Sequence, residues 1–177
     1  MKAYKWILCI VLVAAIGFCL IRFGNFQSDE SSLHDTPDTT AAEQTVTEFN
    51  FSSEAFNDRL LTAINAYRER FGLEAWTVDT ALTASAKTRA TECASQGSKA
   101  HTRPDGSEWY TALGITENYN YSEITGISGQ SPDDLLRSWT ASPTINNGLL
   151  SPDFTACGLE CEALGSDVYC VLILYKP

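Results

Sequence analysis

CGLECEALGSDVYCVLILY, Cys157 to Tyr175, reads as a closing β-hairpin. Two strand-like runs flank Gly165-Ser166, a two-residue turn with glycine first, as a type II′ turn requires. That register sets Cys161 directly across from Cys170, in a non-hydrogen-bonded pair close enough for a disulfide. Cys93 to Cys157 is then the remaining pairing option, although connectivity does not follow from sequence alone. The run VLILY is apolar on both faces, which predicts a central strand covered by helices on each side.

Upstream of the hairpin, SPDDLLRSW opens a helix. Ser131 caps it, Pro132 takes the first position, and Asp133 and Asp134 answer the dipole. Leu135, Leu136 and Trp139 supply its buried side. GITENYNYSEITGIS, Gly114 to Ser128, has the mixed β-branched and aromatic character of a strand with loops on both sides. Before it, Arg103 to Gly106 reads RPDG, a type I turn, and Ser107 is placed to cap a short helix through Leu113.

A further helix starts after Asp79 and offers a mostly small face of Leu82, Ala86, Ala90, Cys93 and Ala94, so something packs closely against it. The first helix places Phe56, Leu60, Ala63, Ile64, Tyr67 and Phe71 at helical spacing, with Gly72 as its stop. Two helices, a strand, a helix and a hairpin predict an α+β fold over residues 51–177. Its form is a three-layer α-β-α sandwich with a largely antiparallel sheet.

The chain has 177 residues and a formal net charge of -10, and no Lys or Arg falls between Gly24 and Asp58. That balance argues against nucleic acid and anionic lipid as surface partners. Lys2 and Lys5 precede an apolar run from Trp6 to Ile21, closed by Arg22. Residues 1–24 therefore read as an N-terminal membrane anchor or a signal sequence, with the uncleaved anchor as the expectation and cleavage as the alternative. A lipid-modified Cys19 fits poorly, because the bulky Phe18 precedes it. The flanking charges put the domain outside the membrane, and residues 25–50 read as an acidic disordered linker. His34 belongs to that linker. Cys9 and Cys19 lie in the apolar run, which leaves Cys93, Cys157, Cys161 and Cys170 as an even set in the exported part.

Taken in order, AINAYRERFGLEAW with Asn65 and Arg68, AHTRPDGS, YSEITGI, SPDDLLRSWTASP and the closing hairpin resemble the CAP superfamily of SCP-like extracellular domains in its bacterial form. The resemblance implies an α-β-α sandwich in an extracytoplasmic setting. It also implies a surface cleft where two histidines and two acids often meet and sometimes hold a divalent metal. His101 matches the first histidine. Glu123 takes the position of the glutamate in the family's G-E-N motif, with Ser122 and Ile124 in place of its neighbours. Ser142 stands where many relatives carry a second acid. Bacterial members commonly read S-P-G-H-R there; this chain reads SPTIN, with Ile145 in the histidine's place. Asp153 stands near the second histidine of animal members.

This donor set is thin for zinc, which takes three or four matched ligands. At most, Glu123 and Asp153 offer a weak hard-ion site. His101 with Glu123 makes an acid-base pair, and Ser142 is a candidate nucleophile without a G-x-S-x-G elbow around it. For His101 the structural alternative is a ring bonded to Glu123 and to a backbone carbonyl. Asn65 and Arg68 are expected to fix the first helix to its neighbours, and Arg103 to bind carbonyls or a carboxylate. Trp76, Trp109 and Trp139, with Tyr110, Tyr119 and Tyr121, are expected mainly in the core, some of them lining a groove. The leading expectation is a non-catalytic module that binds an envelope component, a small apolar ligand or a protein partner. The alternative is a hydrolase or metal-assisted enzyme using His101 and Glu123.

Overall fold

The computed structural model describes residues 51–129 and 131–177. The apolar N-terminal run, the acidic linker, Cys9, Cys19 and His34 lie outside them. Among the described residues, no helix is long and apolar enough to cross a membrane.

Helix α1 (Ser53–Glu69) is followed by the short strand β1 (Thr77–Val78), helix α2 (Thr80–Gln96) and a 3-10 helix (Trp109–Leu113). Strand β2 (Tyr121–Ser128), helices α3 (Pro132–Ala141) and α4 (Pro143–Leu149), and strands β3 (Ala156–Leu164) and β4 (Asp167–Tyr175) complete the chain. The sheet order is β1-β3-β4-β2, antiparallel except where β1 meets β3. The α-β-α sandwich read from the sequence is therefore the fold, with two elements added. Both β1 and α4 are too short to carry a periodic signal.

β4 is the central strand, and its alternation builds both cores. Val168, Cys170, Leu172 and Leu174 face Phe56, Leu60, Ile64, Leu135, Trp139 and Leu149. Tyr169, Val171 and Ile173 face Leu82, Ala86, Ala90, Cys93, Ala94 and Trp109. A period of two places successive side chains in opposite layers, so a strand apolar at every position needs a cover on each side. The small face of α2 is matched from the sheet: a Cβ on Gly158 would overlap the backbone of Leu82 and Thr83. The helix thus lies directly on β3.

The hairpin pairs Cys161 with Cys170 in register, and they form a disulfide. Gly165 has φ 64°, as its place in the turn demands. Cys93 and Cys157 are not bridged to each other; among the described residues both are free and buried. Cys93 belongs to the layer under α2 and Cys157 to the opposite layer, so the sheet itself separates them.

Asp79 and Ser131 cap α2 and α3 through their side chains, and Pro132 opens α3. Such caps are worth about 1 kcal/mol each. Ser107 does not cap. Its hydroxyl donates to Asp105 and Glu108 takes the cap position, giving a short 3-10 helix. Phe71 is exposed rather than packed, because α1 ends at Glu69 and its buried face continues through Arg68.

Candidate functional site

The site begins with a charge on an apolar helix face. Arg89 lies on the buried stripe of α2 between Ala86 and Cys93 and is 0% exposed. Its Nε donates to Glu123 Oε1 at 2.8 Å, Nη1 to Glu92 Oε2 at 2.6 Å, and Nη2 to the Ala100 carbonyl at 2.8 Å. Glu123 projects from β2 into this layer, and its side chain is wholly buried. A buried carboxylate without a partner would be expensive, and Arg89 supplies the partner.

The second oxygen of Glu123 holds His101, with Oε2 at 2.6 Å from Nδ1. The chain leading to His101 is fixed on both sides. Gly97 ends α2 with φ 59°, the Thr125 hydroxyl donates to the Lys99 carbonyl at 2.7 Å, and Arg89 takes that of Ala100. Beyond it, Trp109 N donates to the His101 carbonyl at 3.1 Å, and the RPDG turn closes through Gly106 N to Arg103 O. These bonds hold the backbone on both sides of the imidazole in place. With Nδ1–H directed at the carboxylate, Nε2 is left as the acceptor of the neutral ring. The ring stays 58% exposed.

Behind this pair, Arg103 grips Glu92 through Nε at 3.0 Å and Nη2 at 2.6 Å, while Nη1 donates to the Thr111 hydroxyl. Burial pulls the Arg89 guanidinium down, but hydrogen bonds to Glu123 and Glu92 outweigh it and hold it above its usual value. Burial also acts to raise the Glu92 carboxyl; hydrogen bonds from Arg103 and Arg89 prevail and lower it.

His101 opens into a furrow of about 260 Å³. Lys99 and His101 form one wall, and Thr144, Ile145 and Gly148 of α4 form the other. Ser122, Glu123, Ile124 and Thr125 form the floor. Ile145 thus stands across the furrow from the imidazole.

The structure joins His101 to Glu123 and leaves the other candidates apart. Ser142 is the hinge between α3 and α4, its N–H on the Trp139 carbonyl and its own carbonyl accepting from Asn146, and it does not line the furrow. Asp153 is exposed in the turn before β3, with its N–H on the Ser151 hydroxyl, and is also absent from the furrow walls. Among the described residues no group of three or more His, Cys, Asp and Glu side chains stands where it could hold a metal ion. Trp76, Trp109 and Trp139 are core residues, Tyr119 is 76% exposed, and none of the aromatics lines the furrow. Asn65 Oδ1 accepts from Trp76 N, and Arg68 donates to the carbonyls of Glu74, Leu149 and Ser151. Both fasten α1, as their spacing suggested.

Arg89, Glu92 and Lys99 belong to no motif that the sequence displays. A signal for Arg89 existed: one cation falls on a stripe that is otherwise Leu, Ser, Ala and Cys.

Several known proteins are similar to this one. The sequence model of the cysteine-rich secretory protein family, CAP, matches residues 61–175. Uncharacterized protein YkwD of Bacillus subtilis is 23% identical over 141 residues, spanning 78% of this chain and 55% of its own length. The chain thus covers little more than half of that relative. An outer surface protein from Borrelia burgdorferi superposes with a TM-score of 0.62 at 18% identity, over 72% of this chain and 97% of the other. An extracellular protein containing a SCP domain from Bacillus anthracis gives 0.60 at 13% identity, over 71% of this chain and 41% of its own. At such identities the likeness is one of fold.

Proposed function

Because the chain belongs to the CAP, or cysteine-rich secretory protein, family, we propose that it is an extracytoplasmic binding module without chemistry of its own. It is held at the membrane by its N-terminal residues, or secreted. Its furrow takes up part of an envelope component or protein partner. The B. anthracis neighbour, described as extracellular, and the even cysteine set with its disulfide support the location.

One observation carries the binding reading: both oxygens of Glu123 are already engaged, one by Arg89 and the other by His101. The side chain is also wholly buried, so the carboxylate positions the ring rather than meeting a substrate itself. Ser142, the candidate nucleophile, lies off the furrow wall, and Ile145 gives the opposite wall an apolar contact. A furrow with one oriented imidazole, a lysine and an apolar wall suits recognition.

The enzymatic alternative has its own support in the 2.6 Å contact from His101 Nδ1 to Glu123, which orients an exposed ring as a general base would be oriented. Full-length protein and its His101→Ala variant, incubated with peptide and ester panels, separate the two. Equal, background turnover by both is expected, while solubilised envelope material shifts the backbone amide resonances of Glu123 and Thr125. Hydrolysis that the variant loses sinks the module reading.

A further inference from the structure

Four consecutive residues, Ser122 to Thr125, line the furrow floor. Side chains of a strand alternate between faces, so an uninterrupted run can line one cavity only along the strand's edge. Among the described residues β2 is an edge strand of the sheet, bonded to β4 on one side only. The furrow therefore runs along its open side, between the layer of α2 and the layer of α4.

Hydrogen bonds tell which backbone groups look outward. Lys176 N donates to the Asn120 carbonyl, so position 120 faces the β4 side. Tyr121 faces the other way: its N–H donates to Asn118 Oδ1 at 3.0 Å and its carbonyl accepts from Asn118 Nδ2 at 3.1 Å. Thr125 agrees, its carbonyl accepting from Trp139 Nε1 at 3.2 Å. In an antiparallel ladder both groups of one residue point the same way and successive residues alternate. Glu123 must then face outward between them. Asn118 closes one end of the edge and Trp139 part of the other. The N–H and carbonyl of Glu123 and the N–H of Thr125 have no protein partner among the described residues.

From this geometry we infer that the furrow binds a short extended peptide segment of a partner protein, which adds to the free edge of β2 as an extra strand. The inference rests on the binding reading above and names its partner. Asn118 occupies both backbone groups of Tyr121 and Trp139 the carbonyl of Thr125, so a second copy cannot pair along the whole of β2, and the two plugs restrict the added strand to a few residues. The walls specify its side chains. One position faces Lys99 and His101, where the neighbouring Glu123 is already neutralised by Arg89, and takes an acidic side chain. The next faces Ile145 and Gly148 and takes an apolar one.

The test uses full-length protein labelled with 15N and an acetylated, amidated pentapeptide alternating Asp and Val. Two twins carry backbone N-methyl groups, one at every Asp and one at every Val. An added strand turns alternate N–H groups to the edge, so one twin should lose affinity by on the order of tenfold or more and the other bind nearly as the parent does. Lys99→Glu, a surface change, should weaken the parent by roughly tenfold. Binding should shift the amides of Glu123 and Thr125. Equal effects of the two methylation patterns overturn the inference, and so does indifference to Lys99→Glu. If the peptides leave those amides unmoved while envelope material still shifts them, strand addition alone is wrong. If neither moves them, the binding reading falls with it.

Discussion

Arg68 and Arg89 are 2% and 0% exposed, on opposite sides of the sheet, and each places a guanidinium beyond the reach of water. Arg68 is satisfied by three main-chain carbonyls and lies over the Trp76 ring at 4.2 Å. Burial lowers its pKa, because neutral acceptors compensate the charge only in part. Arg89 is satisfied mainly by carboxylates, and its pKa is raised. The two layers use a buried cation to different ends. A cation on carbonyls ties α1 to the loop before β3 and ends there. A cation on carboxylates passes order outward, through Glu123 to an imidazole at the surface.

Removing each arginine should break that contrast unequally. Arg89→Met leaves the wholly buried Glu123 carboxylate without its counter-charge beside a hole, and should cost about 3–5 kcal/mol in denaturant unfolding. It should also free the His101 ring, read as averaging of its imidazole nitrogen shifts. Arg68→Met leaves carbonyls unsatisfied and should cost roughly 1–3 kcal/mol with the His101 resonances unchanged. Should Arg68→Met disturb the ring as much as Arg89→Met does, the two layers are not independent.

A thiol accompanies each arginine. Burial pushes Cys157 up to about 12, with Arg68 offsetting only part of it, and burial also raises Cys93 beside Arg89. Neither should react with iodoacetamide in the folded protein at neutral pH, and both should react on unfolding, as read by peptide mass. Labelling of Cys93 alone in the native state would place the Arg89 layer as the looser of the two.

The smallest effect concerns acid. Glu92 has its folded pKa depressed, so the unfolded chain takes up this proton first. The stability it contributes is present above the ordinary carboxylate range and is lost as pH falls through the folded value. Glu92→Gln should therefore flatten the loss of stability below about pH 4.3. An unchanged acid limb would remove Glu92 from the network that supports the site.

Much of the fold was legible because its signals are local. Gly165-Ser166 fixed the hairpin register and with it the Cys161–Cys170 bridge, and VLILY announced a strand covered twice. Asp79 and Ser131 marked two helix starts. The short elements were not legible, since seven residues of α4 and two of β1 hold too little periodicity. Of the site, the family pattern placed His101 and Glu123 together across 22 positions, and the structure joins them at 2.6 Å. The same pattern suggested Ser142 and Asp153, which lie elsewhere.

By itself, the sequence determined the layers, the central strand and the disulfide, because turn chemistry and alternation act between residues that are near neighbours along the chain or across one hairpin. Only the tertiary structure decided that Arg89 neutralises Glu123 from 34 positions away, and that Cys93 and Cys157 face different cores. It also decided that, among the described residues, β2 presents an open edge to the furrow. Each of these depends on how whole elements pack, and no local pattern encodes the distance between two elements that meet only when the core closes.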